Sequence, residues 1–171
     1  NFHEKKNYYK VYENLEKILF KGKKYVLSFC SQVNMSSLEI KGKKILISVS
    51  KNSFQEKKKE TVRWLFSQAN IFLRARINRI AQNHSLKFRS VSIYNYKSRW
   101  GSCSTQRDIN LNWKLIMLPI KIIDYVLIHE LCHTKHMNHS NEFWNLVFQL
   151  NPNFKENRKH LKNYSYLNFI F

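Results

Sequence analysis

Three glycines, two prolines and three cysteines in 171 residues leave this chain with few turn signals and few possible staples. So little glycine and proline excludes collagen-like and flexible low-complexity architectures, and it makes each one that occurs a marker of where the chain turns. Cys30, Cys103 and Cys132 are too few and too far apart for a disulfide framework. With no signal-like apolar segment near the start, they point to free thiols in a reducing, cytoplasmic setting. Long apolar runs are lacking as well, so no membrane-spanning helix is expected. Acid is the fourth shortage: 11 Asp and Glu stand against 30 Lys and Arg, a formal net charge of +19. Such a charge draws polyanions at long range and makes nucleic acid a candidate partner. Yet the cations are spread over "KGKK", "EKKKE", "RARINR" and "KENRKHLK", and a solvated basic surface accounts for them too.

What is present is ordinary globular material, 43% hydrophobic and 15% aromatic, at the length of one domain able to bury a core. Gly22 and Gly42 sit in the two "KGKK" stretches between alternating apolar segments: Tyr25, Leu27 and Phe29 in one, Ile45, Ile47 and Val49 in the other. This predicts a β-rich part over residues 1–52, a small antiparallel sheet with two similar turns. From residue 53 the period changes to that of a helix, with Val62, Leu65, Phe66, Ala69, Leu73, Ile77 and Ile80 on one face. Ser53 and Glu56 fit a capping box at its start, and the helix should end near His84. "KFRSVSIYNYKSRW" and "DINLNWKLIML" read as strands with Gly101 in the loop between them. In the second, Ile109, Leu111 and Trp113 face one way and Asn110, Asn112 and Lys114 the other. Pro119 and Pro152 mark two helix starts. Ser140 is an N-cap for the helix between them, with Glu142 in its first turn. The expected class is α+β: one compact domain of a small antiparallel sheet over residues 1–52 and, over 53–171, a core of a long helix, further strands and three helices.

The chemistry is concentrated in "HELCHTKHMNH", which puts His129, His133, His136 and His139 within eleven residues. His129, Glu130 and His133 spell H-E-x-x-H inside an apolar helix. Residues four apart stand about 6 Å along the axis on the same face, so both imidazoles reach one metal, while the glutamate beside them can take a proton from a water. A catalytic zinc takes three protein ligands and leaves a fourth position open. On a straight helix His136 would lie about 10 Å along the axis from His129, too far for ligand nitrogens that must approach within about 3.5 Å. The stretch "MNHS" offers another route: Asn138 can take the left-handed conformation that ends a helix, and the turn then presents His139 from the side. The expected set is one Zn2+ on His129, His133 and His139, with Glu130 as catalytic base. Cys132, Phe143, Trp144 and Val147 read as core.

"RWGSCS", "INLNWKLI", "IDYVLIHELCHTKHMNHSNEFW" and "NPNFKENRKHLK", in that order, resemble the YgjP-like metallopeptidases, a group of small zincins similar to the SprT and WLM proteases. The resemblance runs from about Val26 to about Lys162 and is carried by several separate motifs. It implies a zincin-like fold with a helix backing the active-site helix. It also implies zinc ligands at His129, His133 and His139 and a catalytic glutamate at Glu130. The ligand spacing is that of metzincins, but His136 stands where those enzymes have glycine, which implies a different turn into the third ligand. Arg99 can stabilise an oxyanion or bind a substrate carboxylate, though Trp100 with Gly101 and Cys103 reads more simply as a structural plug. The leading function is a zinc metallopeptidase acting on a peptide or protein. The alternatives are a SprT-like protease recruited to nucleic acid by its basic surface, or a basic binding domain with structural zinc, for which no fourth ligand is evident.

Overall fold

The structure, a computed structural model, describes residues 15–30, 39–169 and 171. Residues 1–14 and 31–38 of the expected β-rich part lie outside that description. Its remainder forms a four-stranded sheet of β1 (Lys17–Phe20), β2 (Lys23–Cys30), β3 (Glu39–Lys41) and β4 (Lys44–Ser48), ordered β1-β2-β4-β3. Both glycine turns hold hairpins: β1 pairs antiparallel with β2 across Gly22, and β3 with β4 across Gly42. The antiparallel expectation is corrected at the centre, where β2 and β4 run parallel, Val26 opposite Lys44 through Cys30 opposite Ser48. Alternation of apolar residues fixes which face a side chain takes. It carries nothing about the direction of the neighbouring strand, which here follows from two hairpins laid side by side in the same sense.

Gly22 has φ +76°, and a Cβ there would fall 2.6 Å from the Cα of Pro119. The amides of Lys21 and Gly22 donate to the carbonyls of Ile116 and Met117 at 2.7 and 3.1 Å. Only a glycine backbone can turn this tightly against the proline. The first hairpin is thereby fastened to the head of the helix that carries the histidines.

The long helix is α1 (Phe54–Asn83), capped by Ser53, whose Oγ accepts from the Glu56 amide at 3.2 Å. Only this half of the capping box forms, because the Glu56 carboxylate accepts instead from the Ser50 hydroxyl at 3.0 Å. Leu65, Ala69, Leu73, Ile77 and Ile80 are buried as the period requires, while Phe66 is exposed and Trp64 takes an inner position. Each buried aliphatic side chain contributes roughly 1.5–3 kcal/mol, so this stripe suffices to hold an otherwise polar helix on the core.

A second sheet comprises β5 (Ser90–Tyr94), β6 (Gly101–Cys103) and β7 (Asp108–Asn112) in the order β5-β7-β6, with β5 parallel and β6 antiparallel to β7. Gly101 therefore opens a strand and is not in a loop. Beyond Asn112 the chain enters a 3-10 turn, Trp113–Met117, in place of the expected continuation of the strand. Asn112 and Lys114, read as facing away from Ile109, Leu111 and Trp113, are buried as well. The Asn112 amide donates to the carbonyls of Tyr96 and Arg99 at 2.9 and 3.0 Å and to Asn168 Oδ1 at 3.3 Å. Lys114 Nζ donates to the Asn168 carbonyl at 2.9 Å.

Three helices follow: α2 (Ile120–Cys132), α3 (Asn141–Leu150) and α4 (Phe154–Lys162). Pro119 stands at the N-cap of α2 as expected, whereas Pro152 lies in the turn before α4, whose N-cap is Asn153. Helix α2 is central, packed by α1, α3, α4 and β6. Arg76 on α1 also grips Asp124 on α2 through two hydrogen bonds of 2.6 Å. No helix among the described residues is long and apolar enough to cross a membrane.

Candidate metal centre

The last turn of α2 presents His129 and Glu130, with His133 as its C-cap. Apolar residues on the other faces, among them Ile122, Ile123, Val126, Leu127 and Leu131, bury most of the helix, and Asp124 is taken up by Arg76. The chain leaves the helix without the expected left-handed Asn138, which has no positive φ. Instead Thr134 Oγ1 donates to the Leu131 carbonyl at 2.7 Å, and the amides of Lys135 and His136 both donate to the Cys132 carbonyl at 3.0 Å. This right-handed exit carries the chain to Ser140, which caps α3 by accepting from the Phe143 amide at 3.4 Å.

His129, His133 and His139 meet here, one donor atom from each lying within 4.8 Å of the others. The Nε2 atoms of His129 and His139 stand 3.1 Å apart. Two imidazole nitrogens so close must share a proton or a cation, and Zn–N bonds of about 2.0–2.1 Å in tetrahedral array set nitrogens about 3.4 Å apart. The residues present thus fit a divalent metal. His136 is not in the cluster. Its backbone carbonyl lies 3.0 Å from His133 Nδ1, and an N–H there would leave the His133 Nε2 lone pair toward the cluster.

Sequence reasoning missed the platform. Phe143, fully buried, lies against all three imidazoles, with ring centroids 5.0 Å from His129, 4.5 Å from His133 and 4.8 Å from His139. The N-cap signal at Ser140 was the available clue, since it places residue 143 one turn into the helix, facing back. Ring packing matters most for His129, whose Nδ1 is buried with no hydrogen-bond partner among the described residues. Burial, then the neighbouring charges of His133, His139 and Arg158, hold the His129 imidazole down at about 3. Burial also lowers His133, against the opposing effect of the His136 carbonyl. Imidazoles kept neutral are imidazoles able to bind a metal.

Glu130 is 6% exposed, and burial pushes its carboxyl up to about 8, with Arg99 pulling it back. Arg99 is thus close enough to be felt at the glutamate, while its guanidinium lies 5.2 Å from the Tyr96 ring. Trp100 is half-buried against the core, in keeping with the structural reading. Gly101 has a role that the sequence did not disclose: a Cβ there would fall 2.7 Å from Glu130 Oε1 and 2.8 Å from its Cγ. Strand β6 crosses the helix at the glutamate, and the bare backbone of Gly101 leaves the space in which that side chain sits.

A buried glutamate beside three convergent histidines, on a helix braced from four sides, is the arrangement of a metallohydrolase. The sequence matches the family described as YgjP-like, metallopeptidase domain, over residues 1–164, and the chain belongs to that family. It is accordingly a metallopeptidase, a hydrolase whose substrates are peptides or proteins. No curated protein matches it. Among solved structures, the metallopeptidase zymogen abylysin of Pyrococcus abyssi is similar at 24% identity and a TM-score of 0.49, over 53% of this chain and 92% of that one.

Proposed function

We propose that His129, His133 and His139 hold a single zinc ion and that Glu130 is the general base of peptide-bond hydrolysis. The observation that supports this most is the convergence of three donor nitrogens around one point beside a buried carboxyl. Zinc bound there would supply Lewis-acid chemistry, polarising the scissile carbonyl and a water. Glu130 accepts the proton from the attacking water and passes it to the leaving amine. The low polarity around its side chain makes it a carboxylate that readily takes up a proton. Phe143 fixes the three rings, and the His136 carbonyl fixes the tautomer of His133.

The test pairs metal analysis with peptide hydrolysis. Glu130→Gln should keep one zinc per chain and lose hydrolysis by at least about a hundredfold, as general-base removal does. His139→Ala should lose zinc and His136→Ala should keep it. Hydrolysis surviving in Glu130→Gln, or zinc lost from His136→Ala and kept in His139→Ala, would overturn the assignment.

The three free cysteines support a cytoplasmic setting. We also read residues 1–52 as a β-rich part and 53–171 as the zincin-like catalytic core of one domain. A second reading, carried by the net charge of +19, is a SprT-like protease recruited to nucleic acid by its basic surface.

A further inference from the structure

Against the metal centre lies a cavity of about 560 Å³ lined by Trp144, Phe154, Lys155, Arg158, Lys159 and Lys162. Its wall toward the histidines is the Trp144 indole, stacked on His139 with centroids 5.5 Å apart and planes at 21°. The same indole stacks on Phe154 at 5.5 Å and 20°, so an aromatic floor runs from the candidate zinc ligand into the cavity. The four cations come from α4 at positions i, i+3, i+4 and i+7, one face of a helix. Arg158 already lies over Trp144, 5.1 Å from the ring. The helix's own carboxylate, Glu156, is directed to His160 at 3.8 Å, and no acidic residue lines the cavity among the described residues. Four like charges around an apolar floor form a place where an anion is stabilised and a cation is repelled. From Lys155 to Lys162 the helix advances only about 10 Å, the reach of one or two side chains and short for following a nucleic-acid backbone.

We propose that this cavity is a specificity subsite for an acidic residue of the peptide substrate, an Asp or Glu near the scissile bond. Its carboxylate is held by Lys155, Lys159 and Lys162 and its methylene stem packs against the part of Trp144 that His139, Phe154 and Arg158 leave open to the cavity. The inference rests on the reading of the neighbouring histidine cluster as the catalytic centre. It extends that reading from a reaction to a class of substrate.

The experiment uses the full chain loaded with zinc and carrying Glu130→Gln, so that ligands are bound without being cut. Alanine-rich octapeptides with Glu placed at each position in turn, and the same set with Gln and with Lys, are titrated calorimetrically. At one register Glu should bind about tenfold tighter than Gln, the discrimination of one charge-assisted contact. The double variant Lys155→Glu/Lys159→Glu changes two exposed residues, away from the buried Phe154 and Asn157 that anchor α4, and should turn the preference toward Lys. Equal affinity for Glu and Gln at every register would overturn the proposal, as would a Glu preference that the double variant leaves unchanged. So would an octathymidylate that displaces the acidic peptides and loses affinity in the double variant, which would mark a nucleic-acid surface. Cleavage of the same peptides by the unsubstituted chain reads the catalytic assignment separately: a Glu preference in binding without hydrolysis would sink the catalysis and spare the subsite.

Discussion

The Glu130 side chain is set by its surroundings in two ways, through the space it occupies and through its proton. Gly101 leaves room for the Glu130 carboxylate, so Gly101→Ala should displace that carboxylate by close to an ångström while the histidines stay in place. The expected result is full zinc content with kcat lowered by about a hundredfold and KM little changed, as misplacement of a catalytic group costs. Unchanged kcat would remove Gly101 from the machinery. The second effect is linked to pH. Burial holds the Glu130 carboxyl at about 8 against an ordinary 4.5, so in the metal-free protein the folded chain keeps a proton that the unfolded chain releases. The contribution of Glu130 to stability then falls as pH rises from 4.5 to about 8 and levels off above. Glu130→Gln abolishes this loss. Its melting temperature, measured without metal, should match that of the unsubstituted protein near pH 4.5 and exceed it increasingly up to pH 8. The corresponding gap in unfolding free energy at pH 8 should be a few kcal/mol, from about 1.4 kcal/mol per unit. A constant difference across that range would contradict it.

At the scale of elements, helices were the more legible. Ser53, Pro119 and Ser140 mark their starts because capping is a local matter of a few residues. Strands were less so. β6 is three residues long and owes its existence to the neighbouring β7, and the polar face assigned to Asn112 and Lys114 ends where the chain turns into a 3-10 segment. Asn112 is buried because its amide ties the carbonyls of Tyr96 and Arg99, just ahead of β6, to Asn168 near the C-terminus. Asn112→Ala should therefore cost about 2–3 kcal/mol in denaturant unfolding, with carbonyls left unpaired, and Asn168→Ala, which removes a single longer bond, should cost less. A loss below about 0.5 kcal/mol for Asn112→Ala would show the network to be dispensable. The exit from α2 shows the same limit. A turn delivering His139 is legible in the sequence, but its backbone is right-handed and hydrogen-bonded to Leu131 and Cys132.

For the whole molecule, the net charge of +19 bears on association rather than on fold. If nucleic acid is a partner, affinity for duplex DNA should fall steeply with added salt, log K against log salt sloping by about −0.9 for each phosphate neutralised. No binding at low salt, or a flat dependence, would dispose of that recruitment.

The sequence by itself determined the charge, and also the α+β class, the long helix and a pair of histidines with a glutamate on one helical turn, because periodicity and capping act within a few residues. Helical distance also set His136 apart from that pair. Only the tertiary structure decided the parallel joining of the two hairpins, the Phe143 platform, the cradle at Gly101 and the basic cavity behind Trp144. Each of these depends on residues far apart in the chain coming into contact. That contact is settled by how apolar faces pack against one another, which no local pattern records.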